Sequence, residues 1–183
     1  TMHGAILWLV LVNALAFVGA GALLVRLAGP DPARRARAAV LWVANPLLLY
    51  VLVAGAHLDA QAIALAVLAL ALLPRRALLA GLALGAAGAV KISMGLWGLA
   101  FLWVLRGRPW DALRLSAGAA LALAATYGLA GGAAFDQVRV AARFVSPSTF
   151  WHGIFLRLDE ALPRDDAKRY VAIAAWCAVV VLA

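Results

Sequence analysis

The chain has 183 residues, of which 67% are hydrophobic and 13% are charged, and its mean hydropathy is +0.98. Soluble domains are about half apolar and about a quarter charged, so this composition excludes a water-soluble globule, a disordered tail and a disulfide-stapled secreted domain. The long unbroken apolar runs also exclude a membrane barrel, whose strands alternate apolar and polar residues. The sequence therefore predicts an all-α, polytopic transmembrane helical bundle.

The charge balance and the cysteine content narrow the possible partners. Sixteen basic residues and eight acidic residues give a net charge of +8. In a membrane protein, basic residues collect at helix ends and meet anionic headgroups, so membrane lipids are the expected partners and nucleic acid is not. Cys177 is the only cysteine in the sequence, which rules out an intrachain disulfide and a cysteine-based metal cluster.

The two ends of the chain suggest a piece of a longer protein. The chain begins at Thr1 without an initiator methionine, and an apolar run that begins at Tyr170 stops at Ala183. Because a spanning helix needs about 20 residues, we expect further helices on both sides. Residues 1–183 are accordingly interpreted as part of one transmembrane domain.

Uncharged apolar runs predict about seven membrane segments. In chain order they cover residues 5–25, 38–56, 60–74, 77–90, 92–105, 115–135 and 170–183. The third, fourth and fifth runs have only 14 or 15 residues, which reach about 21 Å against a hydrocarbon core of about 30 Å. These three runs need flanking residues to complete a crossing, or they begin and end below the membrane surface.

Lys91 separates two of the short runs, and two interpretations compete there. A continuous helix over 77–105 would carry the lysine in mid-membrane, at a cost of about 2.5–3.5 kcal/mol unless it met water or a partner. Alternatively, the two runs form a hairpin with Lys91 at its tip. The hairpin agrees with the positive-inside rule, because the arginine clusters at 26–37, 75–76 and 106–114 then all lie in cytoplasmic loops.

This topology brings the chemically capable residues to one face. His57, Asp59, Lys91 and an external loop over 131–169 are all predicted on the non-cytoplasmic side.

Two further patterns concern packing. Asn45-Pro46 predicts a break in the second segment, and Gly81, Gly85 and Gly88 predict close contact with a neighbouring helix.

The densest polar cluster is Gly55-Ala56-His57-Leu58-Asp59-Ala60-Gln61. Asp59 suits the N-cap of a helix that begins at Ala60, since a carboxylate there would accept free backbone N–H groups. The functional alternative is that His57 and Asp59 hold sugar hydroxyls or a phosphate. A metal site would need a third ligand, which the sequence does not place, so no metal is predicted.

Three basic residues have a structural and a functional interpretation each. Lys91 is either an interfacial anchor or a clamp for an anionic phosphate. Arg139 and Arg143 lie four residues apart and follow Asp136. They fit one face of an amphipathic helix resting on headgroups, or a lid whose arginines contact phosphate.

A series of short motifs carries a family resemblance. Over about 45 residues the order is Asn45-Pro46-Leu47, Gly55 to Asp59, Arg75-Arg76, Gly81 with Gly85, and Val90-Lys91. In this order the motifs resemble the polyprenol-phosphate-mannose-dependent α-mannosyltransferases of actinobacteria, which are membrane enzymes of the GT-C fold. The later Ser146-Pro147-Ser148-Thr149 is similar to a segment of the same family. Leu58 departs from the pattern, because the family usually has asparagine there.

The resemblance implies a multi-pass glycosyltransferase of the plasma membrane. It would move a sugar, expected to be mannose, from a polyprenyl-phosphate donor to a cell-envelope glycan or lipoglycan acceptor on the non-cytoplasmic face, with no cofactor besides the lipid-linked donor. Substrate-binding roles would fall to His57, Asp59, Lys91, Arg139 and Arg143. The catalytic carboxylate of GT-C enzymes lies in the first external loop, which we expect upstream of residue 1, so the base is unassigned and Asp59 is the acidic candidate within the chain.

Two other classes of membrane protein are alternatives. A lipid or solute transporter or flippase would also use broken helices and a buried lysine, but it predicts an inverted repeat and a midplane site, and neither is visible in the sequence. A non-catalytic membrane scaffold is the third possibility.

Overall fold

The computed structural model describes residues 2–55, 57–131, 136 and 150–182. Within these residues all regular structure is helical, which confirms the predicted fold class. The helices are α1 (Met2–Leu27), α2 (Pro32–Val43), α3 (Pro46–Leu49), α4 (Asp59–Leu72), α5 (Ala77–Val90), α6 (Leu96–Val104), α7 (Pro109–Ala130), α8 (Phe150–Asp159) and α9 (Arg164–Leu182). A π-helical turn, Tyr50–Ala54, follows α3, and a 3-10 turn, Ile92–Gly95, precedes α6.

Each apolar run is overlapped by helix, but α2, α7 and α9 begin before their runs and α8 lies outside all of them. The helices also differ in length, and length decides which of them can span a membrane. Among the described residues, α1 and α7 are long and apolar enough to cross a membrane. The α2 helix and the segment Pro46–Ala54 pass the same test as a pair bent by 46°, either as a broken span or as a re-entrant loop. The described chain therefore has two or three candidate spans, while α4, α5 and residues 92–104 are shorter apolar helices. Seven crossings remain a prediction.

The break in the second segment is confirmed, and its cause is local. Asn45 precedes α3, and its Oδ1 accepts hydrogen bonds from the backbone N–H groups of Leu47 (3.0 Å) and Leu48 (3.3 Å). Pro46 is the first residue of α3, where the absence of a backbone N–H costs nothing. Asn45-Pro46 thus ends α2 and starts a new helix in one step.

The chain also breaks at Lys91, which excludes the continuous helix over 77–105. Lys91 has an extended backbone (φ −146°, ψ 111°) and caps the end of α5. The following helix then packs back on α5, since Leu84 of α5 and Phe101 of α6 belong to one buried cluster with Leu105. The hairpin interpretation is therefore correct for this part of the chain.

The chain divides into two compact units, Thr1–Leu129 and Ala130–Ala183. In the first unit, Phe17, Leu52 and Ala60 form a buried cluster that joins α1 to the π-helical turn and to α4. In the second unit, Phe155, Ala167 and Val171 hold α8 against α9. The predicted external loop over 131–169 includes α8, but most of its earlier part, with Arg139, Arg143 and the segment 146–149, lies outside the described residues.

Glycines allow α5 and α7 to approach each other closely. A Cβ on Gly81 would overlap the carbonyl oxygen of Leu115, and a Cβ on Gly85 would overlap the carbonyl oxygen of Ala119. On α7, a Cβ on Gly118 would meet the carbonyl oxygen of Leu78. Between helices in lipid such close packing is a main source of association, because lipid tails remove the hydrophobic driving force.

The predicted role of a third glycine is wrong. A Cβ on Gly88 would lie 3.9 Å from the nearest atom, Cδ2 of Leu123, which is ordinary contact. Gly88 lies one turn beyond Gly85, where the side chain of Leu123 rather than a backbone group of α7 is the nearest neighbour.

We therefore predict opposite effects for two alanine substitutions on α5. Gly81→Ala should lower the free energy of unfolding in detergent micelles by about 1–3 kcal/mol, because the methyl group forces two backbones apart. Gly88→Ala is the matched control and should be neutral or slightly stabilising, since alanine favours a helix over glycine by about 1 kcal/mol. Thermal unfolding measures both, and equal destabilisation by the two substitutions would contradict the close packing.

Candidate substrate-binding site

A short turn connects the π-helical turn to α4 and carries two of the predicted site residues. Leu58 occupies the N-cap position with near-helical backbone angles (φ −65°, ψ −9°) and makes no side-chain cap, while Asp59 is the first residue of α4. The prediction that Asp59 caps a helix from Ala60 is therefore wrong. The helix begins one residue earlier, and the Asp59 carboxylate has another partner.

That partner is Lys91, which lies 32 residues away in the sequence. The Nζ of Lys91 donates to Oδ1 of Asp59, and the two side chains are 45% and 31% exposed, respectively. Asp59 stands at the N-terminus of α4 and Lys91 at the C-terminus of α5. Both charges thus have the sign that the helix dipole favours at that end, and the ion pair joins the two ends.

A buried amide on α1 supports the same turn. Asn13 is 0% exposed, and among the described residues it is the one polar residue that is buried. Its Nδ2 donates to the backbone oxygen of His57 (2.8 Å), and its Oδ1 accepts from Nε2 of Gln61 (3.1 Å). Sequence reasoning missed Asn13, although a signal was present, because it is an isolated amide within the apolar run 5–25.

His57 lies on the outside of the turn. Its side chain is exposed, and its ring lies close to Gly55, where an added Cβ would be 3.0 Å from Cδ2 of His57 and 2.8 Å from the backbone oxygen of Val51. Gly55 therefore provides space for the imidazole at the end of the π-helical turn. The ring is exposed to a ligand, two residues before Asp59 in the chain.

The arginine turns lie at the other end of the α4–α5 hairpin. The α4 helix runs from Asp59 to Leu72, and the chain passes through Arg75 and Arg76 before α5 returns to Lys91. Each of these helices has 14 residues, or about 21 Å of length. The ion pair and the Arg75-Arg76 turn are thus separated by about that distance.

The described part of the site holds an imidazole, a carboxylate, an ammonium and two amides. In the described residues no group of three His, Cys, Asp or Glu side chains could hold a metal ion. Such a set of groups can bind hydroxyls through the imidazole and carboxylate and an anion through the ammonium. Arg139 and Arg143 lie outside the described residues, so their relation to this site stays a prediction.

The fold and composition define an apolar membrane protein of several helices, and a protein-family model matches part of this chain. The model, described as alpha-(1->6)-mannopyranosyltransferase, N-terminal domain, matches residues 1–107, which is more than half of the chain. The chain belongs to this family, and the family indicates an α-mannosyltransferase. The family resemblance of the motifs is thereby confirmed, and the matched range contains Asn13, His57, Asp59 and Lys91. No curated protein and no solved structure gives a match.

The ion pair predicts an energetic coupling of modest size. Asp59→Asn and Lys91→Met should each lower the free energy of unfolding by about 1 kcal/mol or less, because partly exposed pairs contribute little. The double variant should lose less than the sum of the two, since the second substitution removes no further interaction. Chemical unfolding in micelles measures the free energy of unfolding of each variant in this double-mutant cycle. Arg108→Met, which breaks a pair with Asp111 (2.7 Å), is measured beside them as a comparison for the loss of another ion pair. Strict additivity at 59 and 91 would contradict the pairing.

Proposed function

We propose that this chain forms the donor-binding part of a membrane α-mannosyltransferase that uses a polyprenyl-phosphate sugar. The acceptor is a cell-envelope glycan or lipoglycan, and transfer takes place on the non-cytoplasmic face of the plasma membrane. The observation that carries the proposal is the Asp59–Lys91 pair at an end of two apolar helices within the family match. A lipid-linked donor brings a phosphate to such a position, and the ammonium is complementary to it.

The proposed orientation rests on the distribution of charge. The Arg75-Arg76 turn and the Asp59–Lys91 pair are at opposite ends of the α4–α5 hairpin. By the positive-inside rule, the arginine turn belongs to the cytoplasmic side. The pair, and with it His57, then faces the opposite side of the membrane, where GT-C enzymes of the resembled family act.

Lys91 is the proposed phosphate-binding residue. An ammonium has three N–H donors, and Asp59 accepts one of them, so two more can reach phosphate oxygens. The pairing holds the long side chain of Lys91 near the N-terminus of α4. The Lys91 side chain is 45% exposed and so stays accessible. Positive charge at this position would stabilise the phosphate as it leaves the sugar.

The proposed reaction is a single displacement at the anomeric carbon. A carboxylate removes the proton of the acceptor hydroxyl, the hydroxyl oxygen bonds to the anomeric carbon, and the bond from that carbon to the phosphate oxygen breaks. The electron pair leaves with the polyprenyl phosphate, which contacts Lys91. Because the Asp59 carboxylate is engaged by Lys91, we propose that Asp59 positions the lysine and that another carboxylate acts as the base.

The remaining predicted residues have supporting roles in this proposal. His57 is exposed two residues before Asp59, and an imidazole there can donate to or accept from a sugar hydroxyl. Arg139 and Arg143 are proposed as further phosphate contacts. Mannose as the transferred sugar follows from the family, and the envelope acceptor follows from the resemblance.

Replacing Lys91 tests the proposal most directly. Lys91→Met in the full-length enzyme should lower turnover about 100-fold or more, because the lost charge stabilises the leaving phosphate by several kcal/mol. The activation free energy that this loss of turnover represents is larger than the change in the free energy of unfolding expected for the same substitution. Turnover is measured in membranes supplied with polyprenyl-phosphate mannose, and Lys91→Arg should retain part of the activity.

The control for Lys91 is Arg76→Met, which removes a cation at the other end of the hairpin and should leave turnover within about twofold. Near-normal turnover of Lys91→Met would refute the phosphate-binding role. A wild-type protein that moves the lipid across the bilayer without transferring sugar would favour a flippase. A folded protein with neither activity would favour a scaffold.

His57 should affect donor binding without affecting folding. His57→Ala is expected to raise the KM for the lipid-linked donor about tenfold, because a hydroxyl contact is lost. Its neighbour Leu58 is 52% exposed, so Leu58→Ala is the matched control and should leave KM unchanged. Steady-state kinetics at equal amounts of folded protein distinguish the two, and an equal loss of folded protein in both variants would indicate a structural role.

A further inference from the structure

We infer that Asn13 is a positioning residue that fixes the location of Asp59, and through Asp59 that of Lys91. The inference rests on the proposed function, because it assigns Asn13 to the site where the donor phosphate would bind. Asn13 itself is 0% exposed and therefore acts on the ligand through other residues.

The two hydrogen bonds of Asn13 hold the chain on both sides of Asp59. One goes to the backbone oxygen of His57, two residues before Asp59, and the other comes from Gln61, two residues after it. The segment between these points includes the first turn of α4, where Ala62 N–H donates to the oxygen of Leu58 (3.2 Å). With both flanks held, the backbone that carries Asp59 is fixed relative to α1, and from there its carboxylate reaches Lys91.

The direction of each hydrogen bond is determined by chemistry. A backbone oxygen only accepts, so the NH₂ group of Asn13 must face His57. The carbonyl oxygen of Asn13 must then face Gln61, which has to donate through its own NH₂ group. Neither a carboxylate nor an apolar side chain of similar size at position 13 provides the same pair of donor and acceptor at neutral pH.

Docking of α1 does not depend on Asn13. One turn along the helix, the ring of Phe17 stacks on Trp42 with centroids 5.1 Å apart, and Trp42 Nε1 donates to the backbone oxygen of Phe17 (2.9 Å). Phe17 is also in a buried cluster with Leu52 and Ala60. These contacts attach α1 to its neighbours and reach α4 at Ala60, but none of them is a hydrogen bond to the residues on either side of Asp59. They therefore account for packing, and the Asn13 amide accounts for the position of the turn.

The matched control follows from this arrangement. Trp42→Phe removes one side-chain hydrogen bond to the backbone and weakens an attachment of α1, whereas Asn13→Leu removes one such bond and also the bond from Gln61. Only Asn13→Leu releases the turn that carries Asp59. Gln61→Glu is a second, milder variant, because it keeps the size of the side chain and replaces the donor to Asn13 by an acceptor.

The first experiment compares the variants in the full-length enzyme in membranes with polyprenyl-phosphate mannose. Asn13→Leu should raise the KM for the donor at least tenfold and Gln61→Glu at least threefold, whereas Trp42→Phe should keep the KM within twofold of the wild type. KM does not depend on the amount of folded enzyme, so mere loss of protein would not produce this pattern. A KM for both Asn13→Leu and Gln61→Glu within twofold of the wild type would overturn the inference.

The second experiment does not depend on activity. Amide hydrogen exchange over residues 57–62 should be accelerated at least tenfold in Asn13→Leu and unchanged in Trp42→Phe. Unchanged exchange in Asn13→Leu would overturn the inference even in an active enzyme. If the wild type transfers no mannose, the proposed function fails, and the exchange comparison still decides whether Asn13 positions the turn.

Discussion

The fold of the first unit depends on satisfying backbone hydrogen bonds where helices break. Inside a bilayer no water replaces a lost intrahelical bond, so every break needs a substitute from the protein. At the Asn45-Pro46 break the asparagine side chain accepts two backbone N–H groups. At His57 the buried amide of Asn13 donates to the free carbonyl. At Lys91 the backbone turns on itself, with Lys91 N–H to the Ala87 oxygen and Met94 N–H to the Lys91 oxygen, both at 2.9 Å.

The same breaks create the candidate site. A helix end exposes unpaired backbone groups whose dipole attracts one sign of charge. Asp59 and Lys91 occupy ends of opposite sign and also neutralise each other. Two charges can therefore stand at the ends of short apolar helices at small cost, while the ammonium keeps donors for a ligand. Continuous helices over the same residues would have offered no such position and would have placed a lysine in mid-membrane.

Much of this architecture could be predicted from local pattern, and the rest depends on pairings over long sequence distances. Asn45-Pro46 predicts a break because both residues act on their own neighbours in the chain. The lysine between two apolar runs predicts another break. The role of Asp59 was not predictable in this way. Its sequence context suggests a cap, and only the return of α5 brings Lys91 to it. Asn13 was missed for the same reason, since its partners lie 44 and 48 residues away. For Gly88, spacing alone could not show that α7 presents a side chain there and a backbone group at Gly85.

The lengths of α4 and α5 limit the distance between the Arg75-Arg76 turn and the Asp59–Lys91 pair. If the Arg75-Arg76 turn is at the cytoplasmic interface, α4 and α5 rise about 21 Å into a core of about 30 Å, and the Asp59–Lys91 pair stops about 9 Å below the opposite surface. A donor whose prenyl chain is already in the lipid can bring its phosphate to this depth from the side. At such a depth the effective dielectric constant is lower than in water, so attraction between the ammonium and the phosphate is stronger. Under the proposed function, Asp59 compensates the charge of Lys91 until the phosphate of the donor binds, so the carboxylate and the cation act as one unit.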